Sequence, residues 1–141
     1  MRPMPWVSSV WRAKRLGVLE KLARVYWYTV EFGLVKQPGG LRVYGAGIAS
    51  SAKETVFSVE DDSPNRVAFD LERVMRTNYR IDDFQESYFV IRDLDELLEF
   101  TRIDFAPLYQ RAAQGREVQP GRVLPEDLIL PQSLIHLRRC P

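Results

Sequence analysis

The chain has 141 residues, 45% of them hydrophobic and 28% charged, with 20 Lys and Arg against 19 Asp and Glu for a net charge of +1. This length suits one domain with a real core. No apolar run is long enough to span a bilayer, and so small a net charge argues against a nucleic-acid-binding domain, which normally shows a larger or more focused basic excess.

Residues 1–10 hold Pro3 and Pro5 among scattered apolar groups and read as an irregular lead-in; Arg12, Lys14 and Arg15 interrupt any apolar core of a secretory signal. From Trp11 to Phe32 the pattern is helical, with Leu16, Leu19, Leu22, Ala23, Tyr26 and Val30 at three- and four-residue steps. Residues 1–30 carry six Lys and Arg against one acid. The stretch Arg12 to Arg24 therefore reads as a helix with a solvated basic side and a buried apolar side; contact with phosphate or an anionic membrane is the sharper alternative. Gln37-Pro38-Gly39-Gly40 is a turn signal between Leu34-Val35-Lys36 and Leu41-Arg42-Val43-Tyr44, which predicts a β-hairpin. Ser50-Ser51 with Glu54 can open a short helix. Thr55–Val59 reads as a strand and residues 60–65 as a polar loop.

Asp70 is a candidate N-cap for a helix over Leu71–Arg76, Ser87–Ile91 reads as a strand, and Asp93 caps a helix to about Phe100 with Leu94, Leu97 and Leu98 as its apolar face. Pro107, Pro120, Pro125 and Pro131, with Gly115 and Gly121, divide the remainder into short pieces and tail. The fold class is α+β: a long helix, then a hairpin and short helix and strand elements. The single cysteine, Cys140, excludes an internal disulfide and leads to the expectation of a reducing, cytoplasmic setting.

Chemistry concentrates in Tyr26-Trp27-Tyr28-Thr29-Val30-Glu31-Phe32-Gly33-Leu34, where one carboxylate sits inside an aromatic segment. A carboxylate there needs hydrogen bonds, a cation or a metal. Glu31 is either a metal ligand in an aromatic-walled pocket or a surface glutamate paired with Arg24 or Lys36. The only histidine is His136, so no two-histidine metal site and no Ser-His-Asp or Cys-His set can be assembled with it. Tyr44-Gly45-Ala46-Gly47 is a partial dinucleotide fingerprint without its third glycine. A tight turn exposing backbone donors near Ser50 and Ser51 is the better reading. Asp82, Asp83 and Glu86, like Glu60, Asp61 and Asp62, read as solvated faces; Tyr79, Tyr88, Phe89 and Tyr109 read as core.

The segment Tyr26–Leu34, then Tyr44-Gly45-Ala46-Gly47-Ile48 with Ser50-Ser51, Phe69–Met75, Tyr79–Gln85 and Tyr88–Ile91, closely resembles the pterin-dependent aromatic amino acid hydroxylases, in its arginine-rich form most of all the bacterial phenylalanine 4-hydroxylase branch. The resemblance runs from about Leu16 to Tyr109 and implies the C-terminal portion of that family's mainly helical catalytic domain. It makes residues 1–141 a single partial domain with an irregular tail over 110–141. Its implied cofactors are Fe(II) and tetrahydrobiopterin, with L-phenylalanine and O₂ as substrates. By resemblance, Glu31 is the carboxylate ligand of the iron, Trp27 and Phe32 lie around the substrate ring, and Gly47 and Ser50 receive the amino-acid backbone. Tyr26 resembles the tyrosine near iron and pterin.

The family's His-x-x-x-His motif lies upstream of the segment matching Glu31 and has no counterpart in these residues. The resemblance therefore implies a chain that is catalytically incomplete alone. It also implies an exposed apolar stripe over Leu16–Val30, open to self-association. The alternative reading is a non-catalytic relative acting as a protein-interaction module.

Overall fold

The computed structural model describes residues 19–130. The lead-in over residues 1–10, the start of the first helix, His136 and Cys140 lie outside the described residues. Helix α1 (Leu19–Tyr26) runs into a π-helical turn (Trp27–Glu31), followed by β1 (Leu34–Gln37), β2 (Gly40–Val43), α2 (Ala46–Ala49), α3 (Ala52–Glu60), β3 (Asn65–Ala68), α4 (Leu71–Met75), β4 (Ser87–Ile91), α5 (Leu94–Phe100) and α6 (Phe105–Gln114). The class is α+β, as the sequence pattern suggests.

The four strands form one mixed sheet in the order β2-β1-β4-β3. The expected hairpin is present, with Gln37 opposite Gly40 and Leu34 opposite Val43. Gly40 has φ of 121°, a value that side chains disfavour, so the turn depends on glycine there. Strand β4 lies parallel to both β1 and β3 and is buried at all five residues, as befits a central strand covered on both faces. Tyr88 and Val90 point to one face with Leu34, Leu41, Ile48 and Val59. Phe89 points to the other with Tyr28, Val67 and Val74. Behind that second face, Leu71 and Met75 of α4 meet Tyr109 and Ala112 of α6.

The polarity of α1 is the reverse of the amphipathic expectation. Lys21 and Arg24 are buried, while Leu19, Ala23, Tyr26 and Val30 are exposed. Arg24, 5% exposed, is fully engaged: it donates to the Met75 carbonyl (3.1 Å) and to Asn78, and pairs with Glu117 at 2.7 Å. A guanidinium with that many partners can be buried where a lone one could not.

Thr55–Val59, expected as a strand, lies within α3. Ser51 caps this helix, accepting from the Glu54 N–H at 3.2 Å, as its position before an apolar run suggests. The hydroxyls of Thr55 and Ser58 then turn to helix carbonyls, Ser51 and Ile48 for the first and Thr55 for the second. The cap and burial override the β-branched composition. Strand β3 falls partly in the expected polar loop and carries Arg66, whose burial is explained by its donation to the carbonyls of Ser58 (2.8 Å), Phe57 (3.3 Å) and Asp61 (2.6 Å) at the end of α3.

Asp70 and Asp93 cap their helices as expected, accepting from the N–H of Arg73 and Glu96. The apolar face of α5, however, is largely open, with Leu94 and Leu98 exposed and Leu97 half-buried. Beyond Pro107 the short pieces are replaced by α6. Pro107 sits in its first turn, where a missing N–H breaks no ladder. Residues 116–130 are irregular yet held, with bridges at Thr77–Val118 and Val67–Ile129.

Candidate functional site

The site is built on the π turn. The Thr29 hydroxyl takes the Val25 carbonyl at 2.6 Å, competing with the α-helical ladder. The Phe32 N–H then closes a five-residue step onto the Trp27 carbonyl at 2.8 Å. Residues five apart, which an α-helix would send to different sides, are thereby stacked. Tyr26 meets Glu31, its hydroxyl donating to Oε1 at 3.2 Å. Trp27 meets Phe32, ring centroids 4.6 Å apart. Of the partners the sequence offered Glu31, Arg24 is committed to Glu117; in the structure the Glu31 carboxylate meets Tyr26.

Glu31 is half-buried at the rim of this turn, beside exposed Tyr26. The hydrogen bond to Glu31 and its negative charge hold the Tyr26 phenol above its ordinary range. Trp27 is stacked on both faces, by Phe32 and, at 4.3 Å and 17°, by Tyr79. Together the three rings form a half-buried aromatic wall. Tyr79, assigned to the core from sequence, is thus part of the wall; its place in a segment matching the hydroxylases was the available signal. The Trp27 indole N–H donates to Gln85 Oε1 at 3.2 Å, a partner the sequence did not suggest.

Gly45 and Gly47 bring the chain back against the turn. A Cβ on Gly45 would lie 2.4 Å from the Glu31 carbonyl oxygen, and one on Gly47 would lie 2.9 Å from both that oxygen and the Phe32 ring. The glycines of this motif therefore permit close packing on Glu31 and Phe32. Ser50 closes α2, its exposed hydroxyl donating to the Gly47 carbonyl at 2.9 Å and retaining acceptor capacity toward solvent. Glu31, Tyr26, Trp27, Phe32, Gly47 and Ser50 all lie on the π turn or on the turn packed against it.

Glu31 offers one carboxylate to a metal, and Tyr26 occupies one of its oxygens. Among the described residues no group of three His, Cys, Asp or Glu side chains could hold an ion. A single rim carboxylate with no cationic partner among the described residues is the kind of group that contributes one ligand to a metal centre. Among the described residues, no helix is long and apolar enough to cross a membrane.

The arrangement, a small mixed sheet with a carboxylate and aromatic wall on a π turn, is an α+β catalytic-domain fold shared with solved phenylalanine hydroxylases. A variant phenylalanine hydroxylase of Chromobacterium violaceum superposes with a TM-score of 0.84 at 50% identity, covering 89% of this chain and 47% of that one. A cobalt-bound form of the C. violaceum enzyme gives 0.84 at 51% identity, covering 89% and 46%. Phenylalanine-4-hydroxylase of Caulobacter vibrioides is 56% identical over 119 residues, 84% of this chain and 40% of the relative. The human phenylalanine-4-hydroxylase is 38% identical over 84 residues, 60% of this chain and 18% of the relative. The profile of the biopterin-dependent aromatic amino acid hydroxylases matches residues 15–113. The chain belongs to that family, and it spans about 40% of the length of its bacterial relatives.

Proposed function

We propose that this chain is the C-terminal part of the catalytic domain of an iron- and tetrahydrobiopterin-dependent phenylalanine 4-monooxygenase, and that it is inactive alone. The complete reaction converts L-phenylalanine and O₂ to L-tyrosine, with Fe(II) and tetrahydrobiopterin supplying the oxygen activation. The observation that carries this reading is the π turn, which sets Glu31 beside Tyr26 and stacks Trp27 on Phe32 in a chain about half identical to bacterial phenylalanine hydroxylases. Glu31 is the metal carboxylate, Tyr26 holds its orientation toward metal and pterin, Trp27 and Phe32 receive the substrate ring, and Gly47 and Ser50 receive its backbone. Residues 1–141 form one partial domain, assigned to the cytoplasm on its single cysteine.

The test is tyrosine formation by the purified chain with Fe(II), a tetrahydropterin, O₂ and L-phenylalanine. None is expected. Addition of a separate polypeptide carrying the family's upstream half with His-x-x-x-His should restore turnover, and Glu31→Ala should abolish the restored activity. Tyrosine formed by the chain alone would overturn the claim of incompleteness. A second reading, an interaction module, is favoured by the exposed residues Leu19, Ala23, Tyr26 and Val30 along one side of α1 and the π turn. It predicts a stable complex with another chain and no turnover in any combination.

A further inference from the structure

We propose that Glu54 and Gln85 are positioning residues for the aromatic wall: Glu54 fixes Gln85, Gln85 fixes the Trp27 indole, and the indole, stacked with Phe32 and Tyr79, sets the position of the wall against which a substrate ring lies. This rests on the reading of Trp27 and Phe32 as the substrate wall. Glu54 is 6% exposed, and among the described residues no Lys or Arg pairs with it. Its Oε2 instead accepts the Tyr88 hydroxyl at 2.6 Å and the Gln85 backbone N–H at 3.3 Å. Burial and that hydrogen bond push the Tyr88 phenol far above its ordinary range, which favours the protonated, donating form.

Gln85, 2% exposed, has one permitted amide orientation. Its Nε2 donates to the Arg80 carbonyl at 2.7 Å, which leaves Oε1 to accept from Trp27 at 3.2 Å; a flip would set donor against donor and acceptor against acceptor. The indole is thus held in its own plane by Gln85 and clamped on its faces by Phe32 and Tyr79. Phe32 in turn abuts Gly47. Residues 80–83 between these anchors are exposed, so Gln85 is the point at which that loop is tied to the wall.

Stability alone does not account for this arrangement. A buried carboxylate and a buried amide contribute little net stability compared with apolar groups of similar shape. What they add is direction: an apolar residue at Gln85 would fill the space without fixing the indole edge. Both donors to Glu54 reach the same oxygen, so the scheme requires an acceptor at that position and no negative charge.

The test uses the 141-residue chain labelled with ¹⁵N at its tryptophan indoles, the Trp27 signal being assigned with Trp27→Phe. Gln85→Leu should move the Trp27 indole resonance and speed its exchange with water about tenfold, the scale of one lost hydrogen bond. Glu54→Leu should do the same in part, whereas Glu54→Gln, which keeps the acceptor, should match the parent. Gln85→Met, unbranched and close to glutamine in shape, is the second variant should Gln85→Leu not fold; it should move the Trp27 signal in the same way. Backbone amides of Val90 and Ile91 report whether the sheet is intact. An unchanged Trp27 signal in Gln85→Leu or in Glu54→Leu overturns the relay, as does Glu54→Gln behaving like Glu54→Leu. With the upstream half supplied, Gln85→Leu should raise KM for L-phenylalanine about tenfold with kcat much less affected. An equal fall in kcat and kcat/KM would overturn positioning. Absence of turnover in the parent assembly would instead refute the functional reading and leave the indole results standing.

Discussion

At the scale of single residues, the two partners of Glu31 are a phenol and a backbone turn. Its carboxylate takes the Tyr26 hydroxyl, and its carbonyl is the surface against which Gly45 packs. A methyl group on Gly45 would sit 2.4 Å from that carbonyl and 2.6 Å from the Gly33 nitrogen, both backbone atoms that cannot swing aside. Gly45→Ala is therefore expected to destabilise the chain by about 1–3 kcal/mol, the range for overpacking, read by thermal or urea unfolding. The segment holding Glu31, Trp27 and Phe32 stands out in the sequence as a carboxylate among aromatic residues ahead of a glycine, while the roles proposed for these residues come from the resemblance. Their pairing was not legible there. Helical periodicity assigns neighbours three and four residues apart, and the wall is made by neighbours five apart. Gln85 and Glu54 were illegible for another reason: each lies in a run of polar residues, and only the tertiary fold buries them.

Among the elements, buried arginines do the fastening. Arg73 of α4 grips Asp127 with two parallel bonds of 2.9 and 3.0 Å, and also reaches the Arg122 carbonyl and Thr77. Arg24 holds Glu117 to α1. Both acids come from the irregular segment after α6, so its packing depends on these pairs. Because both members of the Arg73–Asp127 pair are buried, Arg73→Met strands a carboxylate and should cost about 3–5 kcal/mol, whereas Arg73→Met with Asp127→Leu should recover much of the loss. Unfolding of the single and double variants measures the difference.

The same pairs set a pH dependence. Burial alone would raise Asp127, but hydrogen bonds from Arg73 and the Leu124 N–H, with the Arg73 charge, outweigh it and leave Asp127 below its ordinary 3.8. Glu117 is held below 4.5 by hydrogen bonds from Arg24 and Asn78. Groups depressed on folding stabilise fully above their unfolded values, so these contributions begin to fall below pH 4.5 for Glu117 and 3.8 for Asp127 and vanish as pH drops through the folded values. Unfolding followed from pH 7 to pH 2 should show its steep decline in that window. The helices with aspartate caps were readable from sequence because a cap is a local device. The strand containing Arg66 and the helix over Thr55–Val59 were not, since a distant guanidinium and a buried face decided them.

For the molecule as a whole, the inverted polarity of α1 is the dominant fact. Lys21 and Arg24 face Glu117, whereas Leu19, Ala23 and Tyr26, the last at 54% exposure, face outward while Val25 packs into the core. An apolar helix side left open in water favours association. In sedimentation the chain is expected to show concentration-dependent oligomers, and Val30→Lys should shift it toward monomer. A monomer at all concentrations would show that the stripe does not drive self-association. Composition could not reveal this inversion, because amphipathicity tells that a helix has two sides and leaves open which side is turned in.

The wide turn at Trp27–Glu31 has a consequence that concerns counting more than chemistry. It accommodates one residue more than an α-helix would use for the same rise. Deleting Val30 would let the segment relax into an ordinary helix in which Glu31 follows Tyr26, and Phe32 follows Trp27, at a four-residue step, so both pairs would stay on one side. The site is therefore specified by the length of this segment as much as by its letters: one residue inserted between Trp27 and Glu31 would set each pair six apart, about 120° around the axis, and should be more damaging here than most substitutions.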